Sequence, residues 1–425
     1  MNAVPPVAPL LAGLAERLPG LRTLYEDLHA HPELSFQELR TARVVAQRLR
    51  EQGWRTTEGV GGTGVVGVLS NGDGPVVLLR ADMDALPIEE ETGLPYASTA
   101  KGTDASGGEV PVMHACGHDM HVTCLLGATD RLAAHREHWR GTVLAVFQPA
   151  EEVGGAATMI ADGFAERFPR PDICLAQHVT PMPAGTIAIK PGPIMAAADF
   201  LRITFFGHGG HGSLPETTVD PIVTAAATIM RLQTIVSREV GANQSAVLTV
   251  GSVHAGSKEN IIPDSAELTV GVRTTTAALR ERVLASVRRI ANAESAATGC
   301  PSAPRITPIS AFPVTDNDPA AAAAVRSALV AAVGEDRVLT LQQPVPASED
   351  FGMFGTGLKA PSVYWCLGGT DPALFPEGDL APAATAEVPS NHSARFAPVP
   401  EPTIEAGTTA LLAAAARWLR SDTGA

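Results

Sequence analysis

Val76-Val77-Leu78-Leu79-Arg80-Ala81-Asp82-Met83-Asp84 is the stretch on which the fold turns. An apolar run of strand length passes straight into two acids, and a turn signal, Asn71-Gly72-Asp73-Gly74, comes before it. The design recurs downstream. Residues 142–147 run into Gln148-Pro149-Ala150-Glu151-Glu152, and residues 173–176 run into Gln177-His178. These strands, with another at 65–69, alternate with helical segments at 21–52, broken at Pro32, and at 120–134, where Asp119 is the predicted N-cap. The order predicts a mostly parallel sheet covered on both faces. In such sheets ligands bind at the carboxyl ends of the strands. One acid in a loop is ordinarily just solvated, but three strands delivering polar groups at the same end predict a site.

The texture changes near Pro191-Gly192-Pro193. From Phe200 the pattern reads strand 200–206, helix 220–237, strands 246–253 and 266–273, helix 277–297 and strand 305–307. This β-α-β-β-α-β order is the ferredoxin-like split unit. Beyond Pro308 the chain returns to α/β, with a helix at 319–333 and a strand at 362–367. A small α+β domain at 196–308, inserted into an α/β domain made of 1–195 and 309–425, is the expected organisation.

At 425 residues the chain has the length of two or three domains of roughly 100–200 residues. Hydrophobic residues at 45% and charged residues at 18% argue against disorder. A net charge of −14, with no Lys/Arg cluster, makes nucleic acid an unexpected partner. No uncharged apolar run reaches the ~18–20 residues of a membrane span, and residues 1–18 lack the basic start of a secretory signal. Five cysteines, an odd and sparse set, point to a reducing cytoplasm.

Met113-His114-Ala115-Cys116-Gly117-His118-Asp119-Met120-His121 gathers one thiol and three imidazoles in a loop leading into a helix. With carboxylates nearby, that donor chemistry suits zinc, manganese, iron or cobalt better than calcium or magnesium. A lone histidine is more often structural, but the Cys-Gly-His spacing lets two side chains converge across a bend at Gly117. Cys116 has no second cysteine at Cys-x-x-Cys spacing, which speaks against a redox pair. Of the adjacent Glu151 and Glu152, one can bind a metal while the other moves protons, since neighbouring side chains point different ways. His392, in Ser390-Asn391-His392-Ser393, is by itself an ordinary loop residue.

Taken together, these blocks resemble the metal-dependent aminoacylase/carboxypeptidase family, in its branch of N-acyl-amino-acid amidohydrolases, hippurate hydrolases and auxin-conjugate hydrolases. The resemblance runs from about Leu28 to Glu401. It is carried by Asp27-Leu28-His29-Ala30-His31-Pro32-Glu33-Leu34-Ser35-Phe36, by Arg80-Ala81-Asp82-Met83-Asp84-Ala85-Leu86-Pro87, by His114-Ala115-Cys116-Gly117-His118-Asp119 and by Gln148-Pro149-Ala150-Glu151-Glu152. Gly209-Gly210-His211-Gly212-Ser213-Leu214-Pro215, Asn260-Ile261-Ile262-Pro263 and Ser348-Glu349-Asp350-Phe351 support it. It implies a zinc-peptidase-like catalytic domain with an inserted lid domain that dimerises. It also implies two divalent metal ions per subunit, held by Cys116, His118, Glu152, His178 and His392, with Cys116 where other branches use a bridging aspartate. Zinc or manganese is expected, with cobalt and nickel compatible. Asp84 matches a supporting acid, so Asp82 and Asp84 are expected behind the ligands. The sequence departs from the family's pattern at an insertion, 99–110, and at His208, which replaces a basic residue.

The reaction so implied is hydrolysis of an N-acyl amino acid to a carboxylic acid and a free amino acid. Glu151 is the expected general base, later returning its proton to the leaving nitrogen. His211, on the lid, is the expected donor to the oxyanion. Asn260 and Arg273 are candidates to hold the substrate carboxylate. A dipeptidase or carboxypeptidase using the same site is the alternative. A non-catalytic metal carrier would have lost a ligand or the base, and this chain keeps all six residues. A cysteine-based redox enzyme would work through Cys116 and survive chelation.

Overall fold

A computed structural model describes residues 7–376 and 387–419. Residues 1–6, 377–386 and 420–425, which fall within the expected α/β segments 1–195 and 309–425, lie outside the described residues. The chain divides into two compact units: Met1–Ile194, Asp316–Gln343 and Asp350–Ala425 form the first, Met195–Thr315 and Pro344–Glu349 the second.

Twelve strands build the two main sheets. In chain order they are β1 (Arg55–Val60), β2 (Gly64–Asn71), β3 (Val76–Asp82), β4 (Gly141–Gln148), β5 (Ile173–Pro183), β6 (Ile187–Ile189), β7 (Ala197–Phe206), β8 (Ala246–Ala255), β9 (Ser265–Thr274), β10 (Arg305–Phe312), β11 (Val338–Thr340) and β12 (Ser362–Thr370). The first unit holds an eight-stranded sheet of order β1-β2-β4-β3-β5-β12-β6-β11. Its centre, β4-β3-β5-β12, is parallel, as expected. β11 also runs parallel to β6, so four of the seven ladders are parallel and three are antiparallel. β1 and β2 are joined by three residues, a connection that permits only antiparallel pairing, β2 runs antiparallel to β4, and β6 runs antiparallel to β12.

Two sequence boundaries shift for physical reasons. β5 runs on to Pro183 instead of ending at Ala176, because Gln177 and His178, which read as loop signals, are buried strand residues. Gln177 donates to Gly407 O at 3.2 Å and accepts from the Trp365 indole at 3.1 Å. The helix after the Cys/His block starts two residues early. It spans His118–Ala134 with Gly117 as N-cap, in place of Asp119. Gly117 has φ 84, and a Cβ there would lie 2.4 Å from Val179 Cγ1, so only glycine fits. Asp119 sits in the first turn and accepts from His29 Nδ1 at 2.6 Å.

That helix is buried on nearly every side, its polar residues His118, Asp119 and His121 included. Leu18–Ala30 and Pro400–Ala416 pack against it, and Leu39–Glu51 covers β1 and β2. The 99–110 segment forms a small hairpin, Lys101–Thr103 against Glu109–Pro111.

In the second unit the order β8-β9-β7-β10 is wholly antiparallel, and helices Pro221–Thr234 and Ala277–Ala297 pack on it. This is the β-α-β-β-α-β arrangement in three dimensions. β9 alternates strictly, burying Ala266, Leu268, Val270 and Val272. Asp220 and Thr276 cap the two helices by accepting from Ile222 N and Leu279 N. β10 continues past Pro308 because it is an edge strand, and Pro308 sits where the register with β7 shifts.

Candidate metal centre

The β3–β5 ladder ends at the pair Arg80–Ala176, two residues short of Asp82 on one strand and of His178 on the other. The buried helix delivers His118 and, one turn on, His121 to the same place. Ring centroids of His118 and His178 are 5.7 Å apart, and those of His121 and His178 are 4.6 Å apart. Several clusters of potential donor atoms result, and two of them share Cys116. Cys116, His118 and His178 bring theirs within 4.8 Å of one another, and so do Cys116, Glu152 and His392. Cys116 belongs to both sets. The five residues named from the family resemblance are thus gathered, although His392 lies far along the chain.

His392 arrives by a strained route. Its φ is 68, in the left-handed region that non-glycine residues avoid. Its amide donates to Ala115 O at 2.8 Å, and the neighbouring Asn391 donates to Cys116 O at 3.2 Å and Val179 O at 3.1 Å. Asn391 therefore ties the C-terminal loop to both the Cys/His block and β5. Nothing in the local sequence around Asn391 signals this role.

Asp84 organises the donors from behind. One carboxylate oxygen accepts from His118 Nδ1 at 3.2 Å and from Glu151 N at 3.0 Å. The other accepts from Ser35 Oγ at 2.7 Å and Glu152 N at 3.2 Å. His118 is thereby held with its proton on Nδ1 and its Nε2 lone pair turned inward. His178 is fixed in the same tautomer, donating from Nδ1 to Val179 O at 2.7 Å and bringing Nε2 to 3.4 Å from Cys116 Sγ. Asp82 instead takes His121 Nδ1 at 2.5 Å and Arg80 at 2.7 Å. His121 Nε2 accepts the Val179 amide at 2.8 Å, so both its ring nitrogens are used and it frames β5. Arg80 continues the buried network to Gln148 and Asp350.

The electrostatics fit a cation. Burial alone would discharge His118, yet Asp82, Asp84 and Glu152 carry its ring up to about 10. Burial, with the charges of Glu152, Glu151 and Asp82, pushes the Cys116 thiol well above its usual range. Burial and the His121 ring hold His178 neutral, its pKa well below the usual value. His118 Nε2 and Glu152 Oε1 are buried and have no hydrogen-bond partner among the described residues, although His392 Nε2 lies 3.2 Å from the latter. Orphaned donor atoms, a negative field and a thiol unable to ionise unaided are what divalent ions would satisfy, releasing protons as they bind.

Removal of the carboxylate behind the ligands has a definite expected result. In Asp84→Asn, four donors would face one amide, whose NH2 can accept from none of them. Metal affinity, read by chelator competition, is expected to fall by about 10–100-fold.

His211, Asn260 and Arg273 belong to the second unit. A two-residue ladder, Gly210–His211 against Ile261–Ile262, brings His211 beside Asn260, whose carbonyl accepts from Gly212 N at 2.9 Å. The glycines flanking His211 allow close packing: a Cβ on Gly209 would lie 2.6 Å from Ile262 O. His211 is exposed. Its Nδ1 accepts from Ser213 N at 3.1 Å, leaving the proton on Nε2. Arg273 bonds Pro346 O at 3.1 Å and reaches Ser348 Oγ at 3.5 Å.

Comparison with known proteins gives the chain's relatives. The model of peptidase family M20/M25/M40 matches residues 78–381. The chain is 40% identical over 331 residues to hippurate hydrolase of Campylobacter jejuni, covering 77% of this chain and 83% of that one. It is 36% identical over 347 residues to thermostable carboxypeptidase 2 of Saccharolobus solfataricus, covering 80% and 84%. Among solved structures it is similar to the YXEP protein of Bacillus subtilis, described as a dinuclear metal-binding peptidase. The TM-score is 0.73 at 30% identity, over 94% of this chain and 98% of that one.

Proposed function

The chain belongs to peptidase family M20/M25/M40, and we propose that within it the enzyme hydrolyses the amide bond of N-acyl amino acids at a two-metal centre. The observation that carries this reading is the sharing of Cys116 by two donor sets that sit beside Glu151. Cys116, His118 and His178 would hold one divalent ion, and Cys116, Glu152 and His392 the other. Zinc and manganese are the favoured ions, with cobalt and nickel compatible with the donors. When bound, such a pair supplies Lewis acidity and an acidified water.

The chain's own residues do the rest. Glu151, whose amide is fixed by Asp84, takes a proton from the attacking water and later gives it to the leaving nitrogen. Asp84 and Asp82 act behind the ligands. His211, with its proton on Nε2, donates to the developing oxyanion. Asn260 and Arg273 hold the substrate carboxylate, for which a guanidinium is well shaped. The ferredoxin-like unit serves as lid and as the contact of a homodimer. No helix among the described residues is long and apolar enough to cross a membrane. All five cysteines are free, which supports a cytoplasmic setting.

Apo-enzyme reconstituted with single metals and assayed against N-benzoyl-amino acids, N-acetyl-amino acids and dipeptides tests the reading. Preference for the N-acyl substrates is expected. Preference for peptides would favour the carboxypeptidase reading, which the similarity to the Saccharolobus solfataricus enzyme supports.

The lid role has its own test. His211→Ala is expected to lower kcat with metal content and dimer intact. Mixed dimers of His211→Ala with Glu151→Gln regain activity if the histidine acts across the interface. Full activity in His211→Ala would make it a bystander.

A further inference from the structure

Glu38 ends a loop as the N-cap of the helix Leu39–Glu51, yet its carboxylate does not cap that helix. It is fully buried and reaches away into the site loop. One oxygen accepts from Phe36 N at 3.0 Å and from Ala150 N at 2.8 Å, and the other accepts from the Thr63 hydroxyl. Both amides belong to non-glycine residues in the left-handed region, Phe36 at φ 62 and Ala150 at φ 54. That conformation is unfavourable for a residue bearing a Cβ, and it persists only where the surroundings hold it.

Ala150 immediately precedes the two glutamates of the site. Its amide goes to Glu38 and the next two amides go to Asp84, so three consecutive N–H groups are each taken by a buried carboxylate. The Ala150 carbonyl in turn accepts from Gly155 N at 2.8 Å. The turn that aims Glu151 is therefore pinned at both its ends. The described partners of Glu38 are neutral donors, and burial, with the Asp84 charge, pushes its carboxyl up to about 7 against the pull of the Thr63 hydroxyl. An acid without a cation is an expensive group to bury for stability alone. Its position is explained by the need for one acceptor within reach of two left-handed amides.

We propose that Glu38 is a positioning residue that holds the left-handed turn at Ala150 and so sets the direction in which Glu151 meets the reacting atoms. The proposal rests on Glu151 being the base, as read above. What matters is the place of the accepting oxygen and not its charge, so two conservative variants should part company. Glu38→Gln keeps an oxygen at the same reach. Glu38→Asp keeps the charge but draws the oxygens back by one methylene, about 1.5 Å.

The experiment compares wild type, Glu38→Gln, Glu38→Asp and Glu151→Gln as metal-loaded enzymes, well below their unfolding temperatures and with kcat expressed per metal-loaded subunit. In Glu38→Asp, kcat is expected to fall by about 10–100-fold, the usual cost of misplacing a catalytic group by about 1 Å. KM and metal content should stay near wild type, and the Ala150 amide should exchange its hydrogen faster. Glu38→Gln is expected to keep kcat within about threefold and the Ala150 amide protected, as a rescue by shape. The reverse order, with Asp active and Gln impaired, overturns the proposal. So does a Glu38→Asp enzyme that loses only thermal stability while each folded subunit turns over normally. If Glu151→Gln itself retains activity, the base assignment fails, while the amide-exchange comparison still reports whether Glu38 holds the turn.

Discussion

Glu151→Gln is expected to lose turnover by about 10²-fold or more while keeping its full complement of metal. The substitution preserves shape and removes only the ability to accept a proton. Glu151 contributes to neither donor set, and its backbone stays fixed because the hydrogen bond to Asp84 is donated by its main-chain N–H and not by its side chain. Substrate binding should change little, so the loss should appear in kcat and in kcat/KM alike, as for a group that acts in the transition state. Metal analysis beside steady-state kinetics checks both halves. A variant near the wild-type rate would remove Glu151 from the mechanism.

Cys116→Ala should be more severe and different in kind. Its sulfur is common to both donor sets, leaving His118 with His178 on one side and Glu152 with His392 on the other. Two donors make a poor site for ions that ordinarily take three or four protein ligands. Metal content is expected to fall from two ions toward none, and activity with it. Glu152→Gln touches one set only, so its content should fall toward one. Equal losses in the two variants would mean that Cys116 does not bridge. Retention of both metals in Cys116→Ala would mean that it is no ligand at all.

Much of this architecture could be read from short patterns. Apolar runs ending in Asp82, in Glu151-Glu152 and in Gln177-His178 lie side by side in the sheet because parallel strands present their carboxyl ends together. The βαββαβ order of the second unit was equally legible, since its strands alternate and its helices carry capping residues. The patterns failed where a polar residue is buried or a backbone leaves the common regions. Gln177 reads as the end of a strand because its partners, Gly407 and Trp365, lie 230 and 188 residues away. Gly117 reads from the sequence as a bend, and the need for glycine where the helix starts comes from Val179 on another strand. His392 entered only through the family resemblance, because a loop histidine at φ 68 has no local signature. Asn391 and Glu38 have no local signature either: the bonds that tie them to the site go to Val179 O and Ala150 N, remote in sequence, which no periodicity encodes.

Anomalous diffraction from crystals of the metal-reconstituted enzyme, recorded at the absorption edge of the added ion, bears most directly on the shared-cysteine centre. Two peaks about 3.5–4 Å apart are expected, both within bonding distance of Cys116 Sγ, one also near His118 and His178 and the other near Glu152 and His392. A single peak, or two peaks of which only one touches Cys116, would contradict the account.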